Sequence, residues 1–127
     1  MAYGRAVQTG KDPMTDRIVY KILTGDEHDA LTRMGSFSGS PADLADGFIH
    51  LSAAGQVAGT LDRHFSGKPG LVLVAVDLSL LDPAAVRWEP SRGGQLFPHL
   101  YAPLPVGAVV ATAPVARTAD GGVNLPV

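Results

Sequence analysis

From Arg17 to Leu23 the chain alternates around β-branched residues, the period of a strand. Asp26 to Met34 then places Ala30, Leu31 and Met34 on one stripe and stops at Gly35, which predicts a helix opened by Asp26. A Gly/Ser loop leads to Ser40-Pro41-Ala42-Asp43: an N-cap, a first-turn proline and an acid at the third position. That predicts a short helical turn closing before Asp46-Gly47. Phe48 to Ser52 reads as the second strand. Ala53 to Phe65 reads as a helix capped by Ser52, with Val57, Leu61 and Phe65 on its core face. Leu71 to Leu78 is almost continuously apolar, as a central strand buried on both faces should be. Val86 to Ser91 and Phe97 to Tyr101 are short extended segments, and Val106 to Val115 is the last strand. The expected architecture is α+β: a single compact domain with a split or mixed sheet of about six strands and two or three helices. Its predicted limits are 16–117. Residues 1–15 read as a disordered leader or an expression scar, with Met14 as a native start, and 118–127 as a loosely ordered tail.

Alternate side chains of a strand face opposite ways, and here the parity separates apolar from reactive residues. Ile49 and Leu51 share one face of the second strand, while Phe48, His50 and Ser52 share the other. Val86 and Trp88 oppose Arg87, Glu89 and Ser91. Pro98 and Leu100 oppose Phe97, His99 and Tyr101. If the three polar faces converge, they line a cleft with imidazoles, a carboxylate and aromatic platforms. Proline after Glu89 and after Phe97 favours extended backbone at both. Arg92 and the Gly93-Gly94 pair follow Glu89, a composition suited to an anion nest or, equally, to a surface ion pair beside a turn. Gln56, Thr60 and Arg63 form a polar stripe on the predicted helix. His28 and Glu27 belong to the first helix, where an acid in the opening turn favours the macrodipole.

Composition narrows the chemistry. The 127 residues are 46% hydrophobic and 17% charged, enough apolar material for a core. A net charge of −2 offers no footprint for DNA and no polybasic patch for a membrane. The absence of cysteine excludes disulfides, zinc thiolates and a thiol nucleophile. The longest aliphatic run, Leu71 to Val76, falls far short of the roughly 20 residues of a bilayer span. No signal-peptide pattern opens the chain, and a cytoplasmic protein is expected. No metal motif is present among the four histidines, so no metal is expected. The nucleophile elbow, the dinucleotide glycine motif and the phosphate loop are also missing.

Several stretches together resemble the small bacterial family catalogued as domain of unknown function 952. They are Ile-Val-Tyr-Lys-Ile, Gly-Ser-Pro-Ala-Asp-Leu-Ala-Asp-Gly-Phe-Ile-His-Leu-Ser, and Gln56, Thr60 and His64-Phe65. Asp77, Arg87-Trp88-Glu89, Arg92-Gly93-Gly94 and Phe97-Pro98-His99-Leu100-Tyr101 complete the set. The likeness covers about 17–116; His28 stands where such proteins tend to carry Trp, and Gly55 where they often carry an acid. The order of elements also looks like the ADP-ribosyltransferase-like fold, with whose late Tyr/Ser-Pro-Leu-x-Val segment Tyr101-Ala102-Pro103-Leu104-Pro105-Val106 compares. That resemblance implies a small-molecule, nucleotide-like ligand, NAD or ADP-ribose. It implies that His50 orients ribose or phosphate, that Glu89 stabilises charge at the anomeric carbon beside His99, and that Arg92 holds pyrophosphate. Tyr20 or Tyr101 would stack on a ring, with Ser52 and Gln56 supplying hydrogen bonds. Val19-Tyr20-Lys21 occupies the place of that group's first-strand His or Arg. Three readings therefore stand side by side: an ADP-ribosyltransferase-like enzyme, a non-catalytic nucleotide- or metabolite-binding module, and a structural domain.

Overall fold

A computed structural model describes residues 16–127, so the expected leader over 1–15 lies outside the described residues. The elements in chain order are β1 (Ile18–Leu23), α1 (Gly25–Met34), β2 (Ser36–Phe37), α2 (Pro41–Asp46), β3 (Ile49–His50), α3 (Val57–His64), β4 (Val72–Asp77), β5 (Val86–Pro90), β6 (Leu96–Leu100), β7 (Leu104–Pro105) and β8 (Val109–Pro114). They form an α+β fold with three small sheets, ordered β1-β4-β8, β2-β7 and β3-β6-β5, and every strand pair is antiparallel.

β4 is central, as its unbroken apolar run predicts. One face of its sheet packs Val19, Leu23, Val74 and Val76 against Leu31, Ile49, Leu51, Leu100 and Leu104. The other packs Tyr20, Ile22, Leu73 and Ala75 against Val57 and Leu61 of α3. The β1-β4-β8 and β3-β6-β5 sheets meet at a bridge between Tyr20 and Ser52, whose backbones exchange both hydrogen bonds.

Local chemistry moves several predicted boundaries. Thr24 caps α1, because its side chain and Glu27 complete a capping box, while Asp26 charges the first turn as its position predicts. The expected Ser52 cap is absent: Ser52 is in the bridge, a 3₁₀ turn over Ala54–Gln56 follows, and α3 starts at Val57. A second 3₁₀ turn over Val106–Ala108 delays β8 to Val109. β2 and β7 have two residues each and fall where a loop was expected, below the length at which alternation is visible. Gly35 and Gly47, with φ of 80° and 88°, end α1 and α2 in the left-handed region that favours glycine. After Ala116 the chain folds back, Val123 and Leu125 pack beside Leu61 and Leu73, and Tyr20 Oη donates to the Val127 carbonyl at 2.8 Å. The expectation of a loose tail over 118–127 took no account of these two aliphatic residues.

Leu100 is 1% exposed at the junction of the β3-β6-β5 sheet with β4. Leu100→Ala is expected to lower unfolding free energy by about 2–5 kcal/mol in urea denaturation. Val110→Ala, on an exposed position of β8, is expected to change it by about 0.5 kcal/mol or less.

Candidate functional site

The site grows from α2. Ser40 Oγ accepts the Asp43 N–H, and Asp43 Oδ2 accepts the Ser40 N–H, the reciprocal capping box that Ser-Pro-Ala-Asp predicts. Gly47 then turns the chain into β3 and carries His50 back over the carboxylate that caps the helix. Asp43 Oδ1 accepts the His50 backbone N–H at 3.1 Å and lies 2.6 Å from His50 Nδ1. Lys21 of β1, almost fully buried, donates to Oδ1 at 3.2 Å and lies 2.9 Å from Oδ2. Burial alone would push the Asp43 carboxyl up. The His50 hydrogen bond, the Lys21 charge and the Ser40 N–H outweigh it and hold the group well below the usual carboxylate range. On its other side, His50 Nε2 lies 2.9 Å from Oδ2 of the exposed Asp46.

His50 pairs with His99 across β3 and β6, and His99 pairs with Arg87 across β6 and β5. This register gathers the reactive faces. His99 Nδ1 lies 2.8 Å from Glu89 Oε1, and Tyr101 Oη donates to the same oxygen at 2.7 Å. Those two hydrogen bonds, Tyr101 first, bring the Glu89 carboxyl below its ordinary value, while the Glu89 contact raises the Tyr101 phenol. Phe48 stacks on His99 with ring centres 3.9 Å apart and sits 5.3 Å from the Tyr101 ring. The His50 and His99 rings meet edge to face at 5.8 Å. Arg87 covers the Tyr101 ring at 4.7 Å. A hollow of about 240 Å³ lies alongside, lined by Asp43, Gly47, Phe48 and Leu100 among others.

His50, Glu89, His99 and Tyr101 are thus brought together, as strand parity predicts. Ser52, two residues beyond His50, and Arg92, in the turn between β5 and β6, meet at Thr60 of α3 instead. Ser52 Oγ is 3.2 Å from Thr60 Oγ1, and Arg92 donates to Thr60 at 3.4 Å while its guanidinium covers Phe97 at 4.9 Å. A Cβ on Gly59 would stand 2.9 Å from Arg92 Nη2, so glycine there makes room for the guanidinium. The 92–94 turn does not form the anion nest considered above, since the Gly94 and Gln95 N–H groups donate to the Ser91 and Arg92 carbonyls. Gln56 is engaged at both ends, accepting the Ala53 N–H and donating to the Leu96 carbonyl. Tyr20 is separate from the histidines. It lines a groove of about 800 Å³ with Arg17, Gln56, Leu96 and Val127, and none of His50, Glu89 or His99 reaches that groove. Adjacent strand positions face opposite sides, so Lys21 turns to Asp43 and Tyr20 turns to α3.

Two contributors escaped the sequence reading. Asp43 is recognisable as a helix cap but not as the partner of Lys21 and His50. His64 lies within electrostatic reach of the site: burial, then the charges of Arg92, Arg63 and His50, keep it below its ordinary value. Among the described residues no group of three His, Asp or Glu side chains is arranged to hold a metal ion. No helix there is long and apolar enough to cross a membrane.

The family model described as "Protein of unknown function (DUF952)" matches residues 22–112. The chain is similar to protein CC0527 from Caulobacter crescentus, a structural-genomics target. The crystal structure of that protein has 48% identity and a TM-score of 0.76, covering 85% of this chain and 94% of that one. Its solution NMR structure has 47% identity and a TM-score of 0.71, covering 85% and 91%. No curated protein matches the chain.

Asp43 is the group on which the stability of this region turns. Its folded-state value is depressed, so its contribution is complete above the unfolded carboxylate value of about 3.9 and is lost as pH falls toward the folded-state value. Asp43→Asn, which leaves Lys21 buried without a counter-charge, is expected to cost about 3–5 kcal/mol at pH 7. Urea titrations at several pH values should also show a shallower loss of stability below about pH 4 in the variant than in the wild type.

Proposed function

The chain belongs to the DUF952 family of proteins of unknown function, and we propose that the cluster around Glu89 and His50 binds a phosphorylated ribonucleoside. NAD or another ADP-ribosyl compound is the ligand class, and its N-glycosidic bond is the bond acted on. The observation that carries this reading is the state of Glu89. One oxygen is fixed by two donors, Oε2 has no hydrogen-bond partner among the described residues, and about a third of the side chain is exposed. An anion held in place beforehand can stabilise the positive charge that develops at an anomeric carbon, with no reorganisation at the moment of bond cleavage. His99 and Tyr101 act through Glu89, keeping it ionised and oriented. Phe48 and Tyr101 offer ring faces for a base or nicotinamide. Arg92 and His50 are the cationic or donor groups for the ribose-phosphate portion, with Ser52 beside them.

The ADP-ribosyltransferase-like reading of the fold belongs to the same proposal. Two three-stranded antiparallel sheets joined at the Tyr20–Ser52 bridge, with His50 on the second, support a split sheet that cradles the ligand. One observation favours the alternative of a binding module without turnover. Lys21, in the place of that group's first-strand His or Arg, is turned into the Asp43 ion pair.

Incubation of the full chain with NAD, followed by nicotinamide release and by calorimetric titration with ADP-ribose, separates these readings. The catalytic reading predicts that Glu89→Gln lowers release by about 100-fold or more while ADP-ribose still binds. Saturable binding without nicotinamide release in the wild type would establish the binding module. Absence of both would overturn the nucleotide reading.

A further inference from the structure

His50 is held between two carboxylates of unequal character. An ionised carboxylate only accepts hydrogen bonds, so the ring satisfies Asp43 and Asp46 together only with a hydrogen on each nitrogen. Asp43 is 2% exposed and is fixed by Ser40, by Lys21 and by the His50 backbone. Withdrawing it from Nδ1 would disturb the buried lysine and the helix cap at once. The Asp46 side chain is 56% exposed, and the His50 ring is its only hydrogen-bond partner among the described residues. An ion pair so open to water is readily exchanged. The ring itself is about a third exposed, flanked by Phe48 at 4.7 Å and the edge of His99 at 5.8 Å.

We infer that Asp43 is a positioning residue: by accepting the hydrogen of His50 Nδ1 it turns Nε2 outward, where the ring with a hydrogen on each nitrogen donates to an oxyanion. Asp46, in the ligand-free protein, occupies the place on Nε2 that a phosphate oxygen takes. The inference rests on the proposed nucleotide reading and sharpens it: His50 meets the ligand's phosphate rather than its ribose. Asp46 is then a built-in competitor, an acceptor with the same geometry and sign that leaves when phosphate arrives. A purely structural helix cap beside a surface ion pair orients the ring in the same way but leaves Nε2 indifferent to phosphate.

Long-range proton–nitrogen spectra of the full chain labelled with ¹⁵N-histidine test this directly. At a pH where the ring is neutral, His50 is expected to carry its hydrogen on Nδ1, opposite to the preference of free imidazole. Asp43→Asn combined with Lys21→Met, which removes both buried charges, should return it to the Nε2–H form. At a pH where both ring nitrogens carry hydrogen, titration with inorganic phosphate should shift His50 Nε2, and Asp46→Asn should tighten phosphate by about two- to fivefold, the scale of one exposed ion pair. The Asp46 arm stands even if the double variant does not fold. A neutral wild-type ring with its hydrogen on Nε2 alone, or phosphate binding that neither moves Nε2 nor responds to Asp46→Asn, would overturn the inference. A parallel titration with ADP-ribose separates the two proposals. Response to phosphate without response to ADP-ribose sustains the oxyanion site and removes the nucleotide reading.

Discussion

A single buried carboxylate, Asp43, ties the consecutive elements α2 and β3 to the distant strand β1. It closes the capping box of α2, neutralises Lys21 of β1 and receives both the backbone and the ring of His50. A lysine on the inner face of a sheet is unfavourable unless it is paired and hydrogen-bonded. The ion pair therefore dictates where α2 can dock against β1, and α2 in turn dictates where β3 begins. Apolar packing around Leu31, Ile49 and Leu100 supplies the bulk of the driving force. The carboxylate supplies direction, because hydrogen bonds to it are satisfied in one arrangement only.

From that anchor the reactive face follows by register. Once His50 opposes His99, the two-residue repeat of antiparallel strands aligns Arg87 with His99 and brings Tyr101 and His99 onto one Glu89 oxygen. The two histidines then differ in kind. His99 is buried under Phe48 and serves Glu89; His50 stands at the edge, with one nitrogen committed inward to Asp43 and the other facing an exposed acid. One carboxylate–imidazole pair thus presents an anion to the surroundings and the other an imidazole nitrogen. That combination, a few ångströms apart and bordered by flat rings, is the physical content of the functional reading.

The sequence made much of this legible where a local rule governs. The Ser-Pro-Ala-Asp cap, the central apolar strand and the alternation that groups His50, Glu89, His99 and Tyr101 are all one-dimensional signals. What stayed hidden depends on three-dimensional partners. Asp43 looks like any third-position acid until β1 is laid beside α2, because nothing local to Lys21 announces that it points inward. Arg92 follows Glu89 by three residues but turns to Thr60 and Phe97, since the 92–94 turn redirects the chain. Tyr20 was grouped with the ligand-facing residues, yet strand parity opposite to Lys21 sends it to the α3 side and to the Val127 carbonyl. The short β2–β7 pair and the 3₁₀ turn before α3 have too few residues to carry a period.

The central claim is that the β3–β6–β5 face, and not the larger Tyr20 groove, receives a phosphorylated ribose compound. Backbone amide chemical-shift mapping of the full chain during titration with ADP-ribose tests it most directly. The account predicts saturable shifts greatest around His50, Glu89, His99 and Tyr101, extending to Arg92. Shifts confined to the residues around Tyr20, Gln56 and Val127, or no saturable shift at all, would contradict it.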